Sequence, residues 1–249
     1  MRPPSPPGKT RTDPLTMHTR LLLVVLATVS LLGGCGSSDT RPVEPAPENP
    51  FAGFALGRDD AFEAVTWNLH DFAEDAGTEE VALVAEAIAA LGADVVAIQE
   101  IAEGERFDEL LDLLPHHGGY RATSDRYINL GYVWLDSTVT VRSVAELRPD
   151  VEDVWRFFLR WPLVLEITWQ GRELALVNNH LKCCGNGRLE PDDPDDEEWR
   201  RLRACELLAD HLTMAYPDRN AILLGDLNDL LDDAPAHNVF APFLDAPDR

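Results

Sequence analysis

The sequence is short of cations. Of its 249 residues, 21 are Lys or Arg against 44 Asp or Glu, for a net charge of -23. A chain so acidic has no general attraction for polyanions, so any phosphate it binds must be met by a local site. Long hydrophobic runs are also missing. The one exception, LLLVVLATVSLL at 21–32, has twelve residues and is too short to cross a bilayer. No internal repeat is visible. Apolar residues nevertheless make up 45% of the chain, enough for a globular core rather than a disordered polymer.

The short apolar run reads as a processing signal. It follows the basic start Met17-His-Thr-Arg20 and leads into Leu32-Gly33-Gly34-Cys35. That tetrad resembles a bacterial lipobox, in which Cys35 would be lipidated and become the mature N-terminus. Residues 1–34 are therefore expected to be a signal peptide, with Met17 an alternative start because residues 1–16 are proline-rich and patternless. Residues 35–58 are expected to be the lipidated cysteine and a Pro/Ser-rich tether, and 59–249 the folded domain. Gly36, where an aspartate would favour inner-membrane retention, points to the outer membrane, and a monomer is expected. Removing Arg2, Lys9, Arg11, Arg20 and Asp13 with the signal leaves 21 less 4 basic and 44 less 1 acidic residues, net -26.

Beyond Cys35 there are only Cys183, Cys184 and Cys205. An exported protein can hold disulfides. Adjacent cysteines on an extended segment face opposite sides, so at most one of Cys183 and Cys184 is expected to pair with Cys205, leaving an odd thiol.

From residue 62 onward, strand and helix signals alternate. Phe62–Asn68 alternates into an asparagine. Thr78, followed by Glu79 and Glu80, opens a helix whose apolar face is Val81, Val84, Ala85, Ile88 and Leu91, with Gly92 as its stop. Asp94–Glu100 is an apolar strand ending on an acid, and a second helix spans Arg106–Leu114. Tyr127–Leu135 and Thr138–Val144 look like a hairpin. Leu163–Trp169 and Glu173–Leu181 pair across Gln170-Gly171. Trp199, Leu202, Cys205, Leu208 and Leu212 make a third helix, and Ala221–Leu224 the last clear strand. His116-His117-Gly-Gly reads as a loop and Glu190–Glu198 as a solvated acidic loop. Hairpins mixed with crossovers imply an α/β layered sandwich.

The informative pattern lies at the strand ends. Asn68 ends TWN, Glu100 ends VVAIQE, His180 ends LALVNNH, and Asp226 and Asn228 end ILLGDLN. Polar ends of neighbouring strands converge on one sheet edge. Carboxylates and a carboxamide suit Mg²⁺ or Mn²⁺, while histidine, asparagine and arginine suit the charge of a phosphoryl group in transfer.

TWNLHDF, VVAIQEI, RWPLVLEI, NNHLK and LLGDLND, in that order, resemble the endonuclease/exonuclease/phosphatase superfamily, the fold of pancreatic deoxyribonuclease. The resemblance covers about residues 62–235. It implies a four-layer sandwich of two mixed β-sheets flanked by helices. Carried over residue by residue, it makes Glu100 the principal ligand of Mg²⁺ or Mn²⁺ with Asn68 beside it. His180 would contact and stabilise the scissile phosphate, Asp226 would orient or deprotonate the attacking water, and Asn228 would hold Asp226 and the phosphate in place. Arg160, in RWP, would approach the phosphate. The family closes on a short Asp-His motif entering a last strand. After Asn228 the only histidine is His237, preceded directly by Ala236 and not by an acid, so the chain is expected to stop short of that motif and of the last strands.

The activity implied is divalent-metal-dependent phosphodiester hydrolysis outside the cytoplasm, with nucleic acid the first candidate substrate. A lipid or sugar phosphate is the alternative, and a non-catalytic surface lipoprotein keeping the fold is the third reading. The cluster Arg200, Arg201 and Arg203 offers either a local phosphate patch or a helix face salt-bridged to the acidic loop.

Overall fold

The structure, a computed structural model, describes residues 50–51, 53–72, 78–124, 128–217 and 220–244. Cys35 and the proposed signal and tether up to residue 49 lie outside the described residues. The first half of the domain comprises β1 (Ala64–Phe72), α1 (Thr78–Leu91), β2 (Val95–Ile101), α2 (Gly104–Asp112), β3 (His117–Arg121) and β4 (Asn129–Leu135). The second comprises β5 (Val139–Glu146), α3 (Val154–Phe157), β6 (Leu163–Trp169), β7 (Arg172–His180), α4 (Glu197–Ala215), β8 (Asn220–Asp226) and α5 (Ala241–Leu244).

Each half makes one mixed four-stranded sheet, in the orders β1-β2-β4-β3 and β5-β6-β7-β8. In the first, β1 and β2 are parallel and the other pairs antiparallel; in the second, only β7 and β8 are parallel. Strand alternation builds three apolar layers. Val96 and Ile98 of β2 face Val81, Val84 and Ile88 of α1 and Phe107 and Leu110 of α2. Val95 and Ala97, from the opposite face of β2, meet Leu163, Leu165, Ile167 and Leu176 of the second sheet. Val164 and Val177 face Ala204, Cys205 and Leu208 of α4. The result is the expected sandwich of two mixed sheets flanked by helices.

Three local expectations are corrected. The anticipated hairpin does not form: β4 and β5 belong to different sheets, and the turn at Leu135–Thr138, closed by Thr138 N–H to the Leu135 carbonyl at 3.1 Å, crosses between them. His117-Gly-Gly is not loop but part of β3, an edge strand against β4. Gly118 is needed there because a Cβ would meet the Trp134 ring at 2.4 Å. The acidic loop is not solvated throughout. Asp196 caps α4 by accepting from Trp199 N–H at 2.7 Å, and Glu198 is buried. The β6–β7 hairpin does turn on Gln170-Gly171, both with positive φ (46° and 75°), the backbone a two-residue turn requires.

Candidate active site at the seam between the sheets

Strand parity decides which polar ends meet. On β1 the residues facing the second sheet are Ala64, Thr66 and then Asn68. On β7 they are Leu174, Leu176, Asn178 and His180, and on β8 Ile222, Leu224 and Asp226. The two parallel pairs, β1-β2 and β7-β8, approach each other across the sandwich. Their C-terminal ends therefore discharge Asn68, His180 and Asp226 into one seam.

Glu100 has the wrong parity, since Val95 and Ala97 share the seam face with Gln99. It reaches the site through an irregularity: the register of β2 shifts on both sides, and Glu100 itself adopts φ 64°. His70, Asp71 and Asn228, which surround the same site, also have positive φ (53°, 52° and 54°). Non-glycine residues held there cost on the order of 1–3 kcal/mol each and persist only where the surroundings impose them.

The resulting cluster is tight. The Asn68 amide donates to Glu100 Oε1 at 2.7 Å and to Asp226 Oδ2 at 2.8 Å, clamping two carboxylates side by side. Its own Oδ1 accepts from His70 N–H at 2.8 Å. Asp71 N–H donates to Glu100 Oε2 at 2.9 Å. His180 Nε2 lies 3.6 Å from Glu100 and 3.8 Å from Asp226, too far for good hydrogen bonds. Asn228 N–H donates to Asp226 Oδ1 at 3.1 Å, and its side-chain amide donates to the Leu181 carbonyl at 3.1 Å. Asn228 thus fixes Asp226 through its backbone, and its side-chain amide, expected to help hold the phosphate, instead donates to the Leu181 carbonyl just past β7.

Electrostatics follow from this packing. Burial would raise the Glu100 pKa, but the Asn68 amide, Asp71 N–H and His180 outweigh it and hold Glu100 below the usual carboxylate range. Burial and then the Arg160 guanidinium push His180 below an ordinary imidazole, against the pull of Asp226 and Glu100. Burial lowers the Arg160 pKa, against the charges of Glu100, Cys183, Asp226 and Asp71, which would raise it.

These residues fit a hard divalent cation. One ligand atom each from Glu100, His180 and Asp226 lies within 4.8 Å of the others, and His70, Asp71 and Glu100 form a second such group. Oxygen-rich donors of this kind suit Mg²⁺ or Mn²⁺. Arg160 Nε and His180 Nδ1 are buried with no hydrogen-bond partner, while His180 Nε2 is the ring nitrogen on the carboxylate side.

The sequence profile described as the Endonuclease/Exonuclease/phosphatase family matches residues 65–246. The chain belongs to this family. No curated protein sequence matches it. Among solved structures, it is similar to D. rerio TDP2 complexed with a single-strand DNA product, at 19% identity and TM-score 0.56, covering 72% of this chain and 65% of that one. The human Nocturnin catalytic domain with bound sulfate aligns at 17% identity and TM-score 0.57, covering 75% and 70%. A Bacteroides thetaiotaomicron mannosyl-6-phosphatase aligns at 14% identity and TM-score 0.55, covering 74% and 70%. At such identities the likeness shows the fold. The chain spans about two thirds of the length of the D. rerio TDP2 structures it matches.

Within this family frame, several residues matter that strand-end reading passed over. Gln99 Nε2 donates to Asn178 Oδ1 at 2.8 Å and to Thr66 Oγ1 at 3.0 Å, and Asn178 Nδ2 lies 3.0 Å from both the Ile98 and Gly131 carbonyls. This buried layer stitches the sheets together directly beneath the cluster. Its signal was present as Gln-Glu and Asn-Asn-His, with Gln99 one residue before Glu100 and Asn178 two residues before His180. Asp71, in TWNLHDF, orients Glu100 through its backbone.

Other candidates are placed elsewhere. His237 Nδ1 accepts from Leu189 N–H at 3.2 Å, which ties two loops together. The arginine cluster is not a free patch. Arg201 is buried between Asp229 (2.7 Å) and Glu198 (3.4 Å), Arg200 donates to the Arg156 carbonyl at 2.7 Å, and Arg203 pairs with Glu206. The disulfide expected from Cys183 or Cys184 to Cys205 is not formed. Cys205 is buried on the inner face of α4, whereas Cys183 and Cys184 are exposed, and all three are free thiols.

Proposed function

We propose that the chain is a divalent-cation-dependent phosphodiester hydrolase, on the strength of one observation: Glu100, Asn68, His180 and Asp226, from four strands, converge at the seam. Glu100, with Asn68 beside it, would hold Mg²⁺ or Mn²⁺. Bound there, the cation supplies charge to neutralise the phosphoryl oxygens. Asp226, clamped by Asn68 on one oxygen and by Asn228 N–H on the other, is aimed to take the proton of the attacking water, a role typically contributing ~10²–10⁴-fold. His180 and Arg160 offer the phosphate its hydrogen-bond donors.

Likeness to TDP2 with its DNA product supports a polynucleotide substrate. A specific observation favours the second reading, a sugar or lipid phosphate: Arg200, Arg201 and Arg203 are all engaged within the fold, leaving no basic stripe on α4 to follow a polymer. Attachment outside the cytoplasm through Cys35 completes the reading. It is tested by loss of palmitate incorporation in Cys35→Ser.

Calorimetric titration with Mn²⁺, beside hydrolysis of bis(p-nitrophenyl) phosphate, tests the site. Wild-type protein should bind Mn²⁺, and Glu100→Ala should lose that binding. Asp226→Ala should keep measurable binding while losing ~10²-fold or more of any turnover. Mn²⁺ binding that survives Glu100→Ala would sink the assignment. Plasmid DNA, sphingomyelin vesicles and mannose 6-phosphate, assayed in parallel, separate the substrate classes.

A further inference from the structure

Cys183 and Cys184 follow β7, three residues past His180. In an extended dipeptide their sulfurs would point to opposite faces. Here Cys184 has φ 74°, which turns its side chain back, and the two Sγ atoms lie 2.9 Å apart. Both residues are exposed.

The scaffold imposes this arrangement. Arg201 Nη1 donates to the Lys182 and Cys184 carbonyls at 2.8 Å each. Glu198 Oε1 accepts from Asn186 N–H at 2.8 Å and Gly187 N–H at 2.6 Å. Both side chains of this Arg201–Glu198 pair are 2% exposed. The backbone on either side of the thiols is therefore pinned to a buried ion pair, and a left-handed non-glycine residue is held between the pins.

We propose that Cys183 and Cys184 are a reversible modification site, closing a vicinal disulfide by exchange with a low-molecular-weight disulfide of the glutathione type. The Cys183 thiolate attacks one sulfur of that disulfide, forming a mixed disulfide and releasing one thiol. Cys184, on losing its proton, then attacks the Cys183 sulfur. A Cys183–Cys184 bond forms and a second thiol leaves, so two protein thiols are oxidised and one small disulfide is reduced to two thiols. The order of attack follows from the surroundings. Lys182 Nζ lies 3.6 Å from Cys183 Sγ. The Cys184 S–H, and then the Lys182 ammonium against the effect of burial, hold the Cys183 thiol below its ordinary pKa, while Cys184 is raised by the same partnership.

Consecutive Cα atoms across a trans peptide are about 3.8 Å apart, closer than in ordinary disulfides, which makes such a bond easily reduced. The pair cycles; it does not staple the fold. Cys205 serves as an internal control, because burial pushes its thiol up to about 12 and removes it from reagent.

The test is mass mapping of the full chain before and after oxidised glutathione. In reduced native protein the tryptic peptide Cys183–Arg188 should take two iodoacetamide labels and Cys205 none. After oxidation that peptide should take none and be lighter by two hydrogens, and dithiothreitol should restore both labels. Cys184→Ser should instead keep one glutathione on Cys183, and Cys183→Ser should react more slowly. Two labels surviving oxidation, stable glutathione adducts on the wild-type pair, or a bond from either residue to Cys205 would each overturn the proposal.

Discussion

At Gly225 the chain has room for a hydrogen and nothing larger. A Cβ there would lie 2.0 Å from the Asn179 carbonyl oxygen, and φ is 133°. This close approach of β8 to β7 sets Asp226 opposite His180 in register. Gly225→Ala must therefore force the two strands apart at the site, and should lose about 2–4 kcal/mol in urea unfolding. Gly171→Ala is the control: φ is also positive, at 75°, but no atom lies within 4 Å of the added methyl, so about 1 kcal/mol is expected. Equal losses would show that close approach is not what Gly225 serves. The same parity made most of the site legible in the sequence. Asn68, His180 and Asp226 each sit an even step beyond apolar seam residues. Glu100 was legible by residue type alone, because φ 64° and a register shift carry it across the sheet. Gln99 and Asn178 were hidden because a buried amide beside a charged site residue looks, in one dimension, like part of the same motif.

The elements most easily read were those whose period matches their burial, and the misreadings have physical causes. α1 runs over Thr78–Leu91 with Val81, Val84, Ala85 and Ile88 buried, as its spacing predicts. β4 and β5 were read as a hairpin because a short turn between two apolar runs usually closes one; the same turn can pass a chain between stacked sheets. Nothing local distinguishes the two. The arginines of α4 could not be sorted by sequence either, since burial depends on what faces them. Arg201 is the member that joins elements: α4, the segment after β7 and the segment after β8 meet at it through Glu198, the Lys182 and Cys184 carbonyls, and Asp229. Arg201→Met should cost about 3–5 kcal/mol, because it strands two buried carboxylates. It should also speed amide hydrogen exchange at Asn186 and Gly187. Arg203→Met, which breaks a half-exposed pair with Glu206, should cost at most about 1 kcal/mol. Losses of similar size in the two variants, or unchanged exchange in Arg201→Met, would remove α4 from its proposed place as anchor of both site loops.

For the molecule as a whole, the acidity noted at the outset sets the sign of its response to salt. A net charge of -23 surrounds a site that must admit a phosphate. The α4 arginines that could have softened that field are engaged by Glu206, Asp229, Glu198 and a backbone carbonyl. At low ionic strength the Debye length is about 30 Å, so most of the protein's charge is felt by an approaching anion; near physiological salt it is about 8 Å. Raising NaCl should therefore lower the KM for bis(p-nitrophenyl) phosphate a few-fold, with Mn²⁺ kept saturating so that screening of cation binding does not intrude. The kcat should change little, because the charges that act on bound phosphate are local and partly buried. A polynucleotide-binding surface built on Lys and Arg behaves in the opposite way, losing affinity steeply as salt rises. A KM for single-stranded DNA that rises with NaCl would thus restore the polymer reading and locate cationic residues beyond α4. A KM that falls for DNA and small diester alike would leave the small phosphoester as the substrate class the whole charge distribution favours.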